Sequence, residues 1–259
     1  KVPYFPPEKH PDFITVRPSG KMRQIRVEDF EPFLDQIQLS PQLSRRKVAV
    51  VFDADRLNIA TANKFLKTLE EPPAGTTILL VTTRPNDLLP TIRSRCQRFQ
   101  FKVGAAALTH PALPAWLSDY RDWLGRLTEG MADKRAISDS IFAAYGLVAR
   151  FNGLLEALTA EAWTAQKASL PEELDDDEIE AIEVGLANGL RLRLFTELEA
   201  STLAFARDRL TSGDASTRRA LIASISKLEQ RVRLLRLNLN ESVVLEDFLL
   251  SSLRIWTKK

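Results

Sequence analysis

Apolar residues keep two rhythms along this chain, and the change from one to the other falls just past residue 103. Before it, short unbroken apolar runs alternate with helix-spaced stretches. Residues 47–52 (KVAVVF) and 77–83 (TILLVTT) are brief, rich in β-branched residues and apolar throughout, the pattern of parallel strands covered on both faces. A short strand is expected at 13–16 and another at 97–101. Val27, Phe30, Phe33, Leu34 and Ile37 recur at helical spacing, which predicts one buried helix face. Asn58 suits a helix N-cap, Ile59, Ala62, Phe65, Leu66 and Leu69 would line the following helix, and Pro72-Pro73 would stop it. A short helix is expected over 88–94. Alternating strands and helices argue for an α/β layer.

Beyond it only helical patterning is visible. Trp116, Tyr120, Trp123, Leu124 and Leu127 form one stripe, and Ile141, Tyr145, Val148, Phe151, Leu155 and Leu158 another. Leu221, Ile225, Leu228, Val232, Leu235 and Leu239 step by four and three, a heptad-like seam for packing helices together. Residues 104–114 read as a linker. The acidic run from Asp175 to Glu178 precedes a helix and favours its N-terminus. Pro3, Pro6, Pro7 and Pro11 make the lead-in extended.

The bulk numbers narrow little. The 259 residues carry a net charge of +2 with 27% charged residues, so no global nucleic-acid signature stands out. One cysteine, Cys96, rules out an intrachain disulfide and a four-cysteine zinc site. No unbroken apolar run approaches the ~18 residues of a membrane span. The start at Lys1 shows no signal-peptide layout, and its lack of an initiator Met leaves room for a preceding segment.

Three chemical requirements can be tested against the residues. A phosphate-cradling loop needs G-x-x-x-x-G-K-[ST]. The only Gly-Lys pair is Gly20-Lys21, followed by Met22 and preceded by Thr15 where the first glycine belongs, so the loop is absent between Lys1 and Lys259. A hydrolysing site also needs an acidic pair at the end of a buried strand, one acid for magnesium and one to orient water. Counted back from residues 67–73 (KTLEEPP), Phe52 takes the metal position and Asp53 the water position. A slip of one residue gives Asp53 the metal role and puts Ala54 in the other, so either register lacks half the pair. Phe offers no oxygen to a hard cation. Finally, Ser94-Arg95-Cys96 carries an arginine of the kind that stabilises phosphoryl-transfer charge from a neighbouring subunit. By spacing alone, Arg93, Arg95 and Arg98 read more readily as a solvated basic edge; their place after a Thr-ended strand favours the finger.

Residues 67–73, 79–101 (LLVTTRPNDLLPTIRSRCQRFQF), the His10-Pro11-Asp12 lead-in and the tail from Leu239 to Leu250 resemble the bacterial DNA polymerase III clamp loader of the AAA+ family, in its delta-prime-like branch. The resemblance covers residues 8–103 and 237–256 and is faint between them. It implies an α/β AAA+ P-loop-type core lacking its N-terminal part, followed by an all-α region of lid remnant and collar. The expected division is 1–103 for the core, 104–170 for a helical lid or linker, and 171–259 for a collar. Members of this branch do not hydrolyse ATP; they donate the Ser-Arg-Cys arginine to an adjacent ATPase subunit. Carried over, Arg95 is the trans finger flanked by Ser94 and Cys96, Phe52 and Asp53 are a degenerate acid pair, and Thr82 or Thr83 sits at the sensor strand end. Implied partners are gamma/tau and delta subunits, the sliding clamp and primed DNA through the complex, with no membrane and a cytoplasmic location. Implied cofactors are none in this chain, with ATP and magnesium at the neighbour; the family's zinc module is not among these residues. The rival readings are an active gamma/tau-like ATPase and a helical adaptor with a vestigial core.

The other reactive-looking residues carry plainer readings. Cys96 fits a small buried hydrophobe. His10 and His110 lack ligand spacing. Trp116 and Trp123 suit a core better than base stacking. Arg218, Arg219, Arg231, Arg233 and Arg236 read as a solvated helix face as readily as a phosphate contact.

Overall fold

The computed structural model describes residues 9–101, 108–130, 133–210, 215–235 and 240–257. Pro3, Pro6, Pro7, Arg236 and Leu239 lie outside them. The chain divides into two compact units, Lys1–Gly104 with Ala168–Gly185 and Ala105–Lys167 with Leu186–Lys259.

The first unit holds a parallel sheet of β1 (Phe13–Val16), β2 (Lys47–Val51) and β3 (Thr76–Leu80), in that order. Phe13 faces Val48, and Val51 faces both Val16 and Leu80. Helices α1 (Val27–Gln38) and α2 (Ile59–Glu70) supply the aromatic packing. Phe30, Phe33, Ile37 and Phe65 close over Ile14, Val16, Ala49 and Val51, with Phe30 and Phe65 edge to face at 4.9 Å. Asn58 caps α2 as expected, its side chain accepting from the Thr61 amide at 2.8 Å.

Three expectations change here. Ile59 is exposed, and Thr61, Ala62, Phe65 and Thr68 form the buried stripe instead. The reason is that the cap turns Thr61 inward, where its hydroxyl donates to the Ile25 carbonyl at 3.1 Å. The second apolar run is an edge strand, β3, with Leu79 and Val81 exposed. Residues 97–101 form no strand; among the described residues β3 has β2 as its only sheet neighbour, and Phe99 and Phe101 stand exposed. The short helix is α3 (Pro90–Arg93), with Pro90 at its first turn.

The second unit is helical: α4 (Ala112–Glu129), α5 (Lys134–Lys167), the later part of α6 (Asp176–Leu210), α7 (Ala215–Leu234) and α8 (Glu241–Trp256). Its core joins Trp116, Tyr120, Trp123, Phe151, Phe195 and Phe248. The Nε1 groups of Trp116 and Trp123 donate to the Leu147 and Ser140 carbonyls, each at 2.9 Å, so both tryptophans are core residues. Leu228 and Leu235 are buried and Leu221 and Val232 half-buried, which places the heptad-like seam inward. Tyr145 departs from its stripe: it is exposed and its hydroxyl donates to Glu246 at 3.0 Å. Arg231 pairs with Asp247 at 2.5 Å.

The expected split at residue 170 does not match the way the chain packs. Residues 168–185 belong with the sheet unit, because Gly20 donates its amide to the Asp177 carbonyl at 3.0 Å and Lys21 pairs with Glu180 at 3.6 Å. Gly185 lets the chain pass close to Arg23: a Cβ there would lie 2.6 Å from the Arg23 Cζ. Helices α4, α5, α7 and α8 in turn share one core. The acidic run works as a cap, since the Glu178 amide donates to Asp175 at 2.7 Å and the Asp175 amide to Glu178 at 3.3 Å, a reciprocal capping pair. Lys134–Lys167 has a stretch long and apolar enough to cross a membrane, contrary to the reading from unbroken runs. Leu147, Phe151, Leu154 and Leu158 on it are buried in the core.

Candidate functional site

Phe52, Asp53 and Thr82 gather where the parallel strands end, whereas Ser94, Arg95 and Cys96 lie apart from them, Arg95 against the last residue of the following helix α2. β2 stops at Val51 and the chain turns through Phe52 and Asp53 into a short 3-10 turn, Ala54–Arg56. Asp53 adopts the left-handed conformation, φ 45° and ψ 50°, which Asp tolerates better than most residues. The Ala54 amide donates to the Val81 carbonyl at 3.0 Å and the Val81 amide to the Val51 carbonyl at 2.9 Å. Those bonds lock the end of β3 against the turn.

Two arginines from the segment after β1 fill the spot. The Arg17 guanidinium sits over the Phe52 ring, 3.6 Å from its centroid, a cation–π contact worth about 0.5–2 kcal/mol. Burial pushes the Arg17 pKa down, with Glu178 and Asp53 pulling it back up. Arg23 donates from Nη2 to Asp53 Oδ2 at 2.7 Å, with only 12% of its side chain exposed. Magnesium does not fit this donor set. Phe52 gives no oxygen and lies under a cation, and the Asp53 carboxylate already neutralises a guanidinium. No cluster of three or more metal-ligating side chains occurs among the described residues, His10, His110 and the Asp175 to Glu180 run included.

Thr82 and Thr83 follow β3. The Thr82 hydroxyl donates to Asp55 Oδ1 at 2.5 Å and accepts from the Arg84 amide at 2.9 Å, while Thr83 is exposed. Asp55 in turn lies 3.6 Å from Arg56. Thr82 is thereby tied to the turn that carries Asp53, and Thr83 is not.

Ser94, Arg95 and Cys96 lie just past α3. Ser94 Oγ donates to the Thr91 carbonyl at 3.0 Å. Arg95 is exposed, and its Nε donates to Glu70 Oε1 at 2.9 Å and its Nη1 to the Thr91 carbonyl at 2.8 Å. Nη2 also meets Glu70. Cys96 is half-buried, and burial raises its thiol pKa, which disfavours the reactive thiolate. The sequence reading missed Arg17, Arg23, Asp55 and Glu70. Glu70 stood inside the KTLEEPP block; the others had no signal, since their partners come from strand pairing.

A three-stranded parallel sheet with helical cover, these strand-end residues and a following helical array define an AAA+-type core joined to a helical region. Residues 5–104 match the family model described as DNA polymerase III, delta subunit. Among curated proteins, the delta' subunit of DNA polymerase III from Pseudomonas aeruginosa is 39% identical over 110 residues, covering 42% of this chain and 34% of that one. The tau subunit from Salmonella typhimurium is 44% identical over 78 residues, covering 30% of this chain and 12% of that one. A solved gamma subunit-related protein from Thermotoga maritima superposes with a TM-score of 0.41 at 26% identity, covering 97% of this chain and 86% of that one. The matches span about a third or less of the length of these curated relatives. Over residues 5–104 the chain is similar to DNA polymerase III clamp-loader subunits, delta' among them.

Proposed function

We propose that this chain is a non-hydrolysing, delta-prime-like subunit of a DNA polymerase III clamp loader, acting in the cytoplasm with gamma/tau and delta subunits to place the sliding clamp on primed DNA. It is not an enzyme by itself. Arg95 serves the ATP of a neighbouring subunit, with Ser94 and Cys96 shaping its turn. The observation that carries this reading is the contrast between two sets of arginines. Arg17 and Arg23 satisfy Phe52 and Asp53 within the chain, and Arg95 stands on the surface with a third of its side chain exposed. The first set removes the metal-binding half of a hydrolysing site; the second keeps a cation for a phosphate outside it.

The test is DNA- and clamp-stimulated ATP turnover of a loader reconstituted with this chain, wild type against Arg95→Ala. An arginine supplied in trans is worth on the order of 10³ or more in rate at the site it serves. The expected result is loss of that one site's share of turnover with assembly intact. Unchanged turnover would overturn the finger role. The similarity to tau favours a second reading, an ATP-hydrolysing gamma/tau-like subunit, which requires Asp53 to leave Arg23 for a metal ion.

A further inference from the structure

Glu70 is the last residue of α2, and Arg95 lies one residue beyond the C-cap of α3. We propose that Glu70 is a positioning residue for Arg95, presenting its guanidinium to the neighbour's phosphate; the inference rests on the finger reading above. Nε and Nη2 form one edge of the guanidinium, and both donate to the same Glu70 oxygen, Oε1. Nη1 is anchored separately on the Thr91 carbonyl at 2.8 Å, with Ser94 Oγ at 3.4 Å. Acceptors on two sides fix the plane of the group about its long axis. An N–H of Nη2 still points along the tip, where an anion can be met.

The physical need is clear from the stem. An arginine side chain carries large rotamer entropy, and an untethered one must surrender it when it engages. Glu70 takes up that cost beforehand. Two features argue against a role in fold stability. The pair is exposed, 33% and 50% by side chain, and such pairs contribute little to stability. Glu70 also sits at the C-terminal end of a helix, where an acid opposes the helix dipole. A side chain placed there for stability would be basic.

The experiment uses the full chain in a reconstituted loader and measures kcat and KM for ATP with Glu70→Ala, Glu70→Gln, Arg95→Ala and the Glu70→Ala/Arg95→Ala pair. Glu70→Ala is expected to lower kcat at the served site on the order of tenfold, as small misplacements of a catalytic group do, with KM unmoved. Glu70→Gln keeps an acceptor and should fall between. In the Arg95→Ala background, Glu70→Ala should add nothing. If Glu70→Ala perturbs assembly, Glu70→Gln decides the question alone. Wild-type or faster turnover in the Glu70 variants beside an impaired Arg95→Ala overturns the positioning role and leaves the finger standing. An unimpaired Arg95→Ala overturns the finger, and the positioning role with it.

Discussion

Asp12 is the residue whose loss should most clearly disturb the sheet unit. It is 3% exposed, and its carboxylate accepts three backbone amides: Gln42 at 2.5 Å on Oδ1, and Leu43 at 2.8 Å and Ser44 at 2.6 Å on Oδ2. Its own carbonyl accepts from Val48 at 2.8 Å. One side chain therefore ties the start of β1 to the loop that feeds β2. Burial pushes the carboxyl pKa up, but the three amides outweigh it and the net shift is downward from 3.8. Bonds to a charged acceptor are worth about 1.5–3 kcal/mol each, yet Gln42, Leu43 and Ser44 are exposed and their amides can recover water. Asp12→Ala should therefore cost about 3 kcal/mol, well short of the threefold sum. Asp12→Asn should cost at least as much, although it is nearly isosteric. Its NH2 would face either the Gln42 amide or the Leu43 and Ser44 amides, donor against donor. Because the folded pKa is depressed, the stabilisation is fully present above the unfolded value and drains away as pH falls through the folded one. Hydrogen exchange by mass spectrometry reads this directly. Residues 42–51 should lose protection in both variants at neutral pH, and wild type should converge on them in acid. Wild-type protection in Asp12→Asn would refute the reasoning.

Two further variants test the structure besides those at Arg95 and Glu70. Asp53→Asn keeps tolerance for the left-handed backbone but leaves Arg23 without its counter-charge, so it should cost about 1–2 kcal/mol in urea unfolding followed by circular dichroism. The same variant should leave loader ATP turnover unchanged; a loss with assembly intact would make Asp53 functional. Trp123→Phe removes the bond to the Ser140 carbonyl and opens a void beside Tyr120, costing about 2–3 kcal/mol in the unfolding transition of the remaining tryptophans.

The elements with strong local signals were legible in the sequence. KVAVVF became the central parallel strand, Asn58 became a cap and the Trp116-Tyr120-Trp123 stripe became a core, because each is specified by its own spacing. What failed depended on partners. TILLVTT has the composition of a covered strand, but among the described residues β3 has one strand neighbour, and Leu79 on it is exposed; composition says nothing of which neighbour arrives. Residues 97–101 failed for the same reason. Phe52 and Asp53 were found by counting from KTLEEPP, but Arg17 and Arg23 were not, since only the parallel pairing of β1 with β2 brings the residues after Val16 beside those after Val51.

That pairing bears on what the strand end can do. A divalent cation arriving there would need oxygen ligands from the two positions following β2. One position is an aromatic ring already covered by a guanidinium at 3.6 Å. The other is a carboxylate engaged at 2.7 Å by an arginine with 12% of its side chain exposed. Releasing Asp53 would strand the Arg23 charge in a half-buried place, which costs more than an exposed pair would, and would still supply only one ligand. Converting this strand end into a metal site therefore takes changes at two positions or more, Phe52 and Arg23 among them. Arg95 differs: its Glu70 partner is exposed, and on the proposed reading that pair stays in place while the outward N–H of Nη2 is left for an anion. On the proposed function, then, the chain's charges are closed where a cation would bind and open where an anion would.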